Sequence, residues 1–137
     1  MKSYIVLAAS FLLLMFFPLQ YAVNVVNNYH MSTVDKLVHN AAQQARTEGR
    51  FTPQMIDGLK ADIAAKLHLS ADEVVVNATT TPKYRLNRFD EREMIHYEVR
   101  VPIKKIVAMN AFFGIPDADN RSEYMVAGSV PSEVLLP

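Results

Sequence analysis

The sequence contains no cysteine, which removes disulfides, thiol nucleophiles and thiolate metal sites together while leaving the compartment open. It also lacks any excess of one charge: lysine plus arginine and aspartate plus glutamate number 14 each. Nucleic-acid binding draws on a basic surplus to neutralise phosphates, so no nucleic-acid partner is expected. Glycine occurs only four times, and no glycine-rich phosphate loop can be drawn from those positions. A chain of 137 residues has room for one domain. The apolar start leaves roughly 90 to 110 residues for a soluble part, within the usual range of small domains.

That apolar start is the most prominent feature present. Tyr4 to Phe17 reads YIVLAASFLLLMFF, with Lys2 before it and no charge inside it. Ile5, Val6, Leu7, Phe11, Leu12, Leu13, Leu14, Phe16 and Phe17 would form a membrane or filament-core surface. A cleaved signal peptide has a similar basic start and apolar run, but Gln20-Tyr21-Ala22 is a poor small-x-small cleavage pattern. A retained anchor needs ~20 residues to cross a hydrocarbon core of ~30 Å. The run reaches that length if Pro18, Leu19, Tyr21, Ala22, Val23, Val25 and Val26 extend it. Pro18 would kink such a helix without forbidding it, and Tyr21 and Tyr29 suit the headgroup level.

The continuation favours the anchor. Val23, Val26, His30, Val34, Leu37 or Val38, Ala41 and Ala45 recur at three- and four-residue spacing, the stripe of an amphipathic helix. Asp35, Lys36, Gln43, Arg46 and Glu48 fall on other faces, and no glycine occurs before Gly49. The pattern predicts one helix from about Ser3 to Glu48, roughly 70 Å long at ~1.5 Å per residue. Cleavage near Ala22 would cut it in half. Lys2 and the terminal amine favour an N-terminus inside and a C-terminal part outside the membrane. Val34, Leu37, Val38, Ala41 and Ala45 form the candidate helix-packing line. The small residues Ala41, Ala42 and Ala45 would admit either a neighbouring helix or a sheet of the same chain.

Beyond Gly49, a helix terminator, Thr52 and Pro53 are placed to cap and open a second helix. Met55, Ile56, Leu59, Ile63 and Leu67 mark its buried face; Gln54, Asp57, Lys60 and Lys66 face water. Ser70 to Glu73 leads into a first strand over Val74–Thr81, rich in β-branched residues. Residues 82–93 read as a solvated, charged loop. Ile95, Tyr97, Val99, Val101 and Ile103 then alternate with His96, Glu98, Arg100 and Pro102, as in a sheet with one covered face. Pro102 places the later part of that strand at an edge or terminus. Ile103 to Phe113 fits either helix or strand, Gly114–Asn120 is turn-rich, and Tyr124, Val126, Gly128 and Val130 alternate as a last strand. The expected fold is α+β: a long helix, a short helix and about three antiparallel strands. The expected segments are 1–28, an apolar membrane or filament-core helix, 29–50, its amphipathic continuation, and 51–137, a small α+β domain.

No catalytic constellation emerges. His30, His39, His68 and His96 show no ligand spacing, and nine residues set His30 and His39 about 180° apart on a helix. Asp117, Asp119, Asn120 and Glu123 could offer oxygens to calcium, but the EF-hand spacing is missing, and a plain polar turn is the preferred reading. Asp90, Glu91, Arg92 and Glu93 read as a solvated charge run. Asn77-Ala78-Thr79 and Asn120-Arg121-Ser122 match a short glycosylation pattern that chance readily produces. No enzyme activity and no cofactor are expected.

An apolar helix entering an amphipathic one, followed by a small antiparallel sheet, resembles the type IV pilin and pseudopilin plan. The segments Ala41-Ala42-Gln43-Gln44-Ala45-Arg46-Thr47-Glu48-Gly49-Arg50-Phe51-Thr52-Pro53, Val99-Arg100-Val101-Pro102 and Gly128-Ser129-Val130-Pro131-Ser132-Glu133 look like those of TadE-like membrane-anchored pseudopilins. The resemblance covers the whole chain in layout. It implies a structural subunit, major or minor, of a bacterial cell-surface filament or pilus-like secretion apparatus. Its partners would be copies of itself through the N-terminal helices, other pilin-like subunits, the assembly machinery and membrane lipid. The chain departs from the prepilin pattern in one respect: no glycine precedes the apolar run, and the first acidic residue is Asp35. Standard prepilin processing is therefore not implied. The alternative is a monomeric, membrane-tethered extracytoplasmic binding or adaptor domain, with a secreted enzyme behind a signal peptide as a third reading.

Overall fold

A computed structural model describes residues 1–88 and 90–137; Phe89, within the charged stretch 82–93, lies outside the described residues. The fold is α+β, with helix α1 at Lys2–Glu48, helix α2 at Pro53–Leu67, and strands β1 Val75–Ala78, β2 Met94–Lys104 and β3 Arg121–Pro131. The strands form one antiparallel sheet in the order β1-β2-β3. By contacts the chain divides into two compact units, Met1–Tyr29 with Ile103–Ser122, and His30–Pro102 with Glu123–Pro137.

The second unit holds most of the core. Val34, Val38, Ala41, Ala42 and Ala45 are buried along one line of α1, and Leu37 beside them is half-buried. Three- and four-residue steps keep such a line on one face. From α2 the core receives Leu59, Ile63, Ala64 and Leu67, and from β2 Ile95, Val99 and Val101. Ala41 and Ala45 thus lie inside the core of their own chain. Thr52 Oγ1 accepts from Met55 N at 3.2 Å and Pro53 occupies the first turn of α2, so the cap and opening expected from sequence are present.

Strand β2 shows the expected alternation: its odd-numbered positions are buried or half-buried, while His96, Arg100 and Lys104 are exposed. It is the central strand by order, which at first conflicts with Pro102. The register resolves this, since β1 pairs with β2 only from Ala78↔Tyr97 to Val75↔Arg100. Pro102 lies beyond the last β1 partner, where a missing N–H breaks no β1–β2 bond. On β3, Tyr124, Val126, Gly128 and Val130 are half-buried and alternate with exposed residues. Tyr124 donates its hydroxyl to Asp35 Oδ1 of α1 at 2.6 Å.

Three expectations change. Val26, placed on the α1 stripe, is half exposed, and Asn27 is buried instead. Relative to the half-buried Val23, Asn27 lies about 40° round the helix and Val26 about 60° the other way, and Asn27 Nδ2 has a carbonyl to reach, Lys105 O at 3.2 Å. The first strand is shorter than Val74–Thr81, because Ala71–Glu73 first makes a 3-10 turn in which Glu73 accepts from Ser70 N. The ambiguous stretch after Ile103 continues β2 only to Lys104 and then becomes turns. Lys105 and Met109 adopt positive φ, 64° and 55°, which neither a helix nor a strand accommodates.

Gly49 ends α1 at φ 82°, and its surroundings are as demanding as its backbone. A Cβ there would stand 2.8 Å from the Lys83 carbonyl oxygen and 3.0 Å from a Val134 methyl. Gly58, inside α2, has nothing within 4 Å of the same position. The same substitution should therefore act with opposite signs. Gly49→Ala is expected to lower unfolding free energy by about 1–3 kcal/mol, and Gly58→Ala to raise it by about 0.5–1 kcal/mol. Urea titration of the detergent-solubilised chain reads both, and a neutral Gly49→Ala would refute the close-approach account.

The Tyr124–Asp35 bond gives a pH prediction. That hydrogen bond, with burial behind it, pushes the Tyr124 hydroxyl up from 10.0 to about 12. A raised folded-state value means the contribution is fully present below pH 10 and is lost as the pH climbs through 12. Alkaline titration of tyrosinate absorbance should show one late step, absent from Tyr124→Phe. A late step that survives the substitution would belong to another tyrosine.

Candidate functional site

No residue from Ser3 to Val34 is Asp, Glu, Lys or Arg. Within this stretch α1 carries an 18-residue window of mean hydropathy 2.0, none of it buried, and is long and apolar enough to cross a membrane. Ile5, Val6, Leu7, Phe11, Leu12, Leu13, Leu14 and Phe17 are all exposed. The exposure extends around the whole helix, unlike the single buried line farther on, and a helix apolar on every face calls for surroundings other than water. Phe16 differs from its neighbours. It is half-buried, with its ring 5.2 Å from Phe113 in an edge-to-face contact.

Phe16 meets a loop, residues 105–120, that belongs to the same unit. Three amides hold this loop. Gln20 Nε2 donates to Asn24 Oδ1 and to the Ile106 carbonyl, while Gln20 Oε1 accepts from Ala108 N at 2.8 Å. Asn27 donates to the Lys105 carbonyl. Asn120, buried to 3% exposure, accepts from Ile106 N and Val107 N through Oδ1 and donates to Val107 O through Nδ2. A buried amide with donor and acceptor both engaged replaces the ladder that irregular backbone lacks. Sequence reasoning missed all three roles. An isolated glutamine inside an apolar helix was the signal available at Gln20; for Asn120 the partners lie 13 and 14 residues away and leave no local mark.

The turn considered for calcium is built differently. Asn120 directs its side chain at backbone, and Asp117 Oδ1 accepts from Asn110 Nδ2 at 2.7 Å. Glu123 is engaged by Arg100, which also holds Glu98; the two carboxylates raise the Arg100 value above its ordinary one, Glu98 the more strongly. Among the described residues no three His, Asp or Glu side chains converge as a metal site would require. Of the histidines, His68 caps α2 in the left-handed conformation and His96 pairs with Glu91.

The charge run 90–93 divides. Arg92 bonds to Asp90 through side chain and backbone and holds that carboxyl below its ordinary value. Glu93, expected to be solvated, is 2% exposed. It accepts from Leu86 N and, at 2.9 Å, from Arg88 N. Two inward-turned N–H groups of an irregular segment need an acceptor, and a carboxylate supplies the strongest one. Glu93 also lines a cavity of about 130 Å³ with Arg46, Arg85, Asn87, Pro131, Ser132 and Glu133. Arg46 bonds to Glu133 at 2.7 Å and to Gln43, and its Nε is buried without a hydrogen-bond partner among the described residues. Ser132 Oγ donates to the Lys83 carbonyl at 2.7 Å, and Ser132 N to the Glu93 carbonyl. The groups around this cavity tie the C-terminal tail to the loop before β2 and to the end of α1.

Removing the carboxylate should be far more damaging than its place in a charge run suggests. Glu93→Ala strands two partly buried N–H groups and is expected to cost about 1–3 kcal/mol, while Glu91→Ala, at an exposed side chain, should stay within about 0.5 kcal/mol. Chemical denaturation of the two variants side by side checks the contrast, and equal losses would refute it. Comparison with family models, with characterised proteins and with solved structures finds no match for this chain.

Proposed function

We propose that this chain is a membrane-anchored, non-enzymatic structural subunit of a pilus-like filament or of the envelope machinery that builds one, its C-terminal part lying outside the membrane. The observation that carries this is α1 itself. Its first half exposes apolar side chains on all sides, and the helix runs on without interruption to Glu48. In lipid that surface is solvated by acyl chains; outside lipid it would need neighbouring helices to cover it. A subunit that passes from bilayer to polymer uses one surface for both. The pilin-like order of elements and the TadE-like segments around Gly49, Pro102 and Gly128 support the same assignment.

One observation favours the second reading, a monomeric tethered domain. Ala41 and Ala45, small residues suited to close helix contact, are already buried within their own chain. Contact between subunits must therefore use the exposed apolar face nearer the N-terminus. Because the chain has no cysteine, single cysteines at Leu7 and Leu14 give a clean test. The filament subunit predicts dimers and higher crosslinked species in native membranes, and no crosslinking would leave the tether. Intact-mass analysis should find residues 1–22 retained; a start near residue 23 would overturn the anchor altogether.

A further inference from the structure

We propose that the loop 105–119 is a membrane-surface element, which inserts Phe112 and Phe113 into the headgroup–acyl boundary and takes a lipid phosphate in the basic concavity that the same loop lines. This placement rests on α1 being membrane-embedded. Four observations within the one unit support it.

The first is position along α1. From Ser3 to Leu19 the helix covers about 25 Å at ~1.5 Å per residue, so for a hydrocarbon core of ~30 Å the Gln20 level falls at the boundary. The loop meets α1 at that level, through Phe16–Phe113 and the Gln20 hydrogen bonds to Ile106 and Ala108.

The second is exposed aromatic surface. Phe112 is 60% and Phe113 47% exposed, and the two rings pack edge-to-face at 5.3 Å. Together with the exposed Phe17 they extend the apolar surface of α1 outward. Aromatic rings concentrate at this depth of a bilayer.

The third is the state of the backbone. Irregular chain enters lipid only where its polar groups are satisfied internally. Lys105 N donates to Asn120 O, Ile106 N and Val107 N to the Asn120 side chain, and Ala108 N to Gln20. Phe112, Phe113, Gly114 and Ile115 all donate within the turn. The bonds named meet that condition for this part of the loop.

The fourth is charge. Lys104, Lys105 and Arg121 line an open concavity of about 510 Å³ with Asn110, Asp117, Ala118 and Asn120. The Asp117 carboxylate in the recess already accepts from Asn110, and Asp119 is exposed in the same turn. A basic recess on the same loop that carries exposed aromatic side chains fits the phosphate of an anionic lipid.

The chain has no tryptophan, so a single introduced indole reports its own surroundings. Phe112→Trp and, as a reference inside α1, Leu13→Trp replace exposed side chains and can be compared in the full chain, reconstituted in vesicles of brominated phosphatidylcholine with phosphatidylglycerol. The expected result is blue-shifted emission and about twofold or greater quenching by bromolipid at both positions. Quenching at Leu13→Trp with water-like, unquenched emission at Phe112→Trp overturns the loop placement and leaves the anchor standing. Blue-shifted but unquenched Phe112→Trp, with Leu13→Trp quenched, means a protein neighbour covers the loop and also overturns it. No quenching at either position refutes the membrane-embedded helix itself. Adding Lys104→Gln and Lys105→Gln to Phe112→Trp should remove the extra quenching that phosphatidylglycerol confers over phosphatidylcholine alone; if that difference persists, the concavity does not take the headgroup.

Discussion

The end of α1 leaves no room for a side chain, and the packing of the second unit depends on that. At Gly49 the helix stops at positive φ, and the Lys83 carbonyl closes to a distance that any Cβ would obstruct. Lys83 N in turn donates to the Gly49 carbonyl at 2.9 Å. With the loop held this close, Ser132 can reach the same Lys83 carbonyl and, through its own N–H, the Glu93 carbonyl. Glu133 N donates to the Arg46 carbonyl, giving a partner to one of the last-turn acceptors of α1. One missing Cβ thus sets the approach of three segments distant in sequence. A net gain of only about 1 kcal/mol per hydrogen bond is enough to hold them when the bonds share one geometry.

The two units solve the same problem with different chemistry. Segments outside the ladder must find partners for their N–H and C=O groups. In the second unit a buried carboxylate, Glu93, and the Arg46 carbonyl at the end of α1 provide them. In the first unit three neutral amides, Gln20, Asn27 and Asn120, do so. An amide can accept and donate at once and carries no charge to desolvate, so it loses less than a carboxylate on leaving water. The neutral solution occurs in the unit that contains the apolar half of α1, where a charge would be most expensive.

This division also explains what could be read from the sequence. Helix α1 and its buried line, the capped start of α2 and the alternation of β2 and β3 are local periodicities, visible wherever burial repeats at 3.6 or 2 residues. Glu93 could not be recognised in this way: flanked by Glu91 and Arg92, it has the composition of a solvated turn. Gln20 reaches Ile106 and Ala108 across 86 and 88 positions, and Asn120 serves backbone that no pattern marks. Phe112 and Phe113 stood within a stretch that fitted helix and strand equally, and positive φ at Lys105 and Met109, neither of them glycine, removed both options. What escaped the sequence is therefore of one kind: polar side chains and turns whose partners are set by tertiary closure.

Helix α1 shows most directly that pattern and amount of apolarity carry different information. From Val34 to Ala45 apolar residues are few and small but aligned, and the line alone suffices to bury them. From Tyr4 to Leu19 they are many, large and on every side, so no single packing surface could cover them. Were this half merely a core helix, its neighbours would have to surround it, yet none of its most apolar window is buried. The loop meets this half at Phe16 and Gln20, and that contact pairs the polar amide of Gln20 while leaving the aliphatic surface open. A helix whose polar group is satisfied by its own chain, and whose apolar groups are left exposed, is compatible with a membrane anchor. On the proposed reading the two surroundings, lipid and like helices, would impose the same demand on the side chains, so that one exposed surface would serve both.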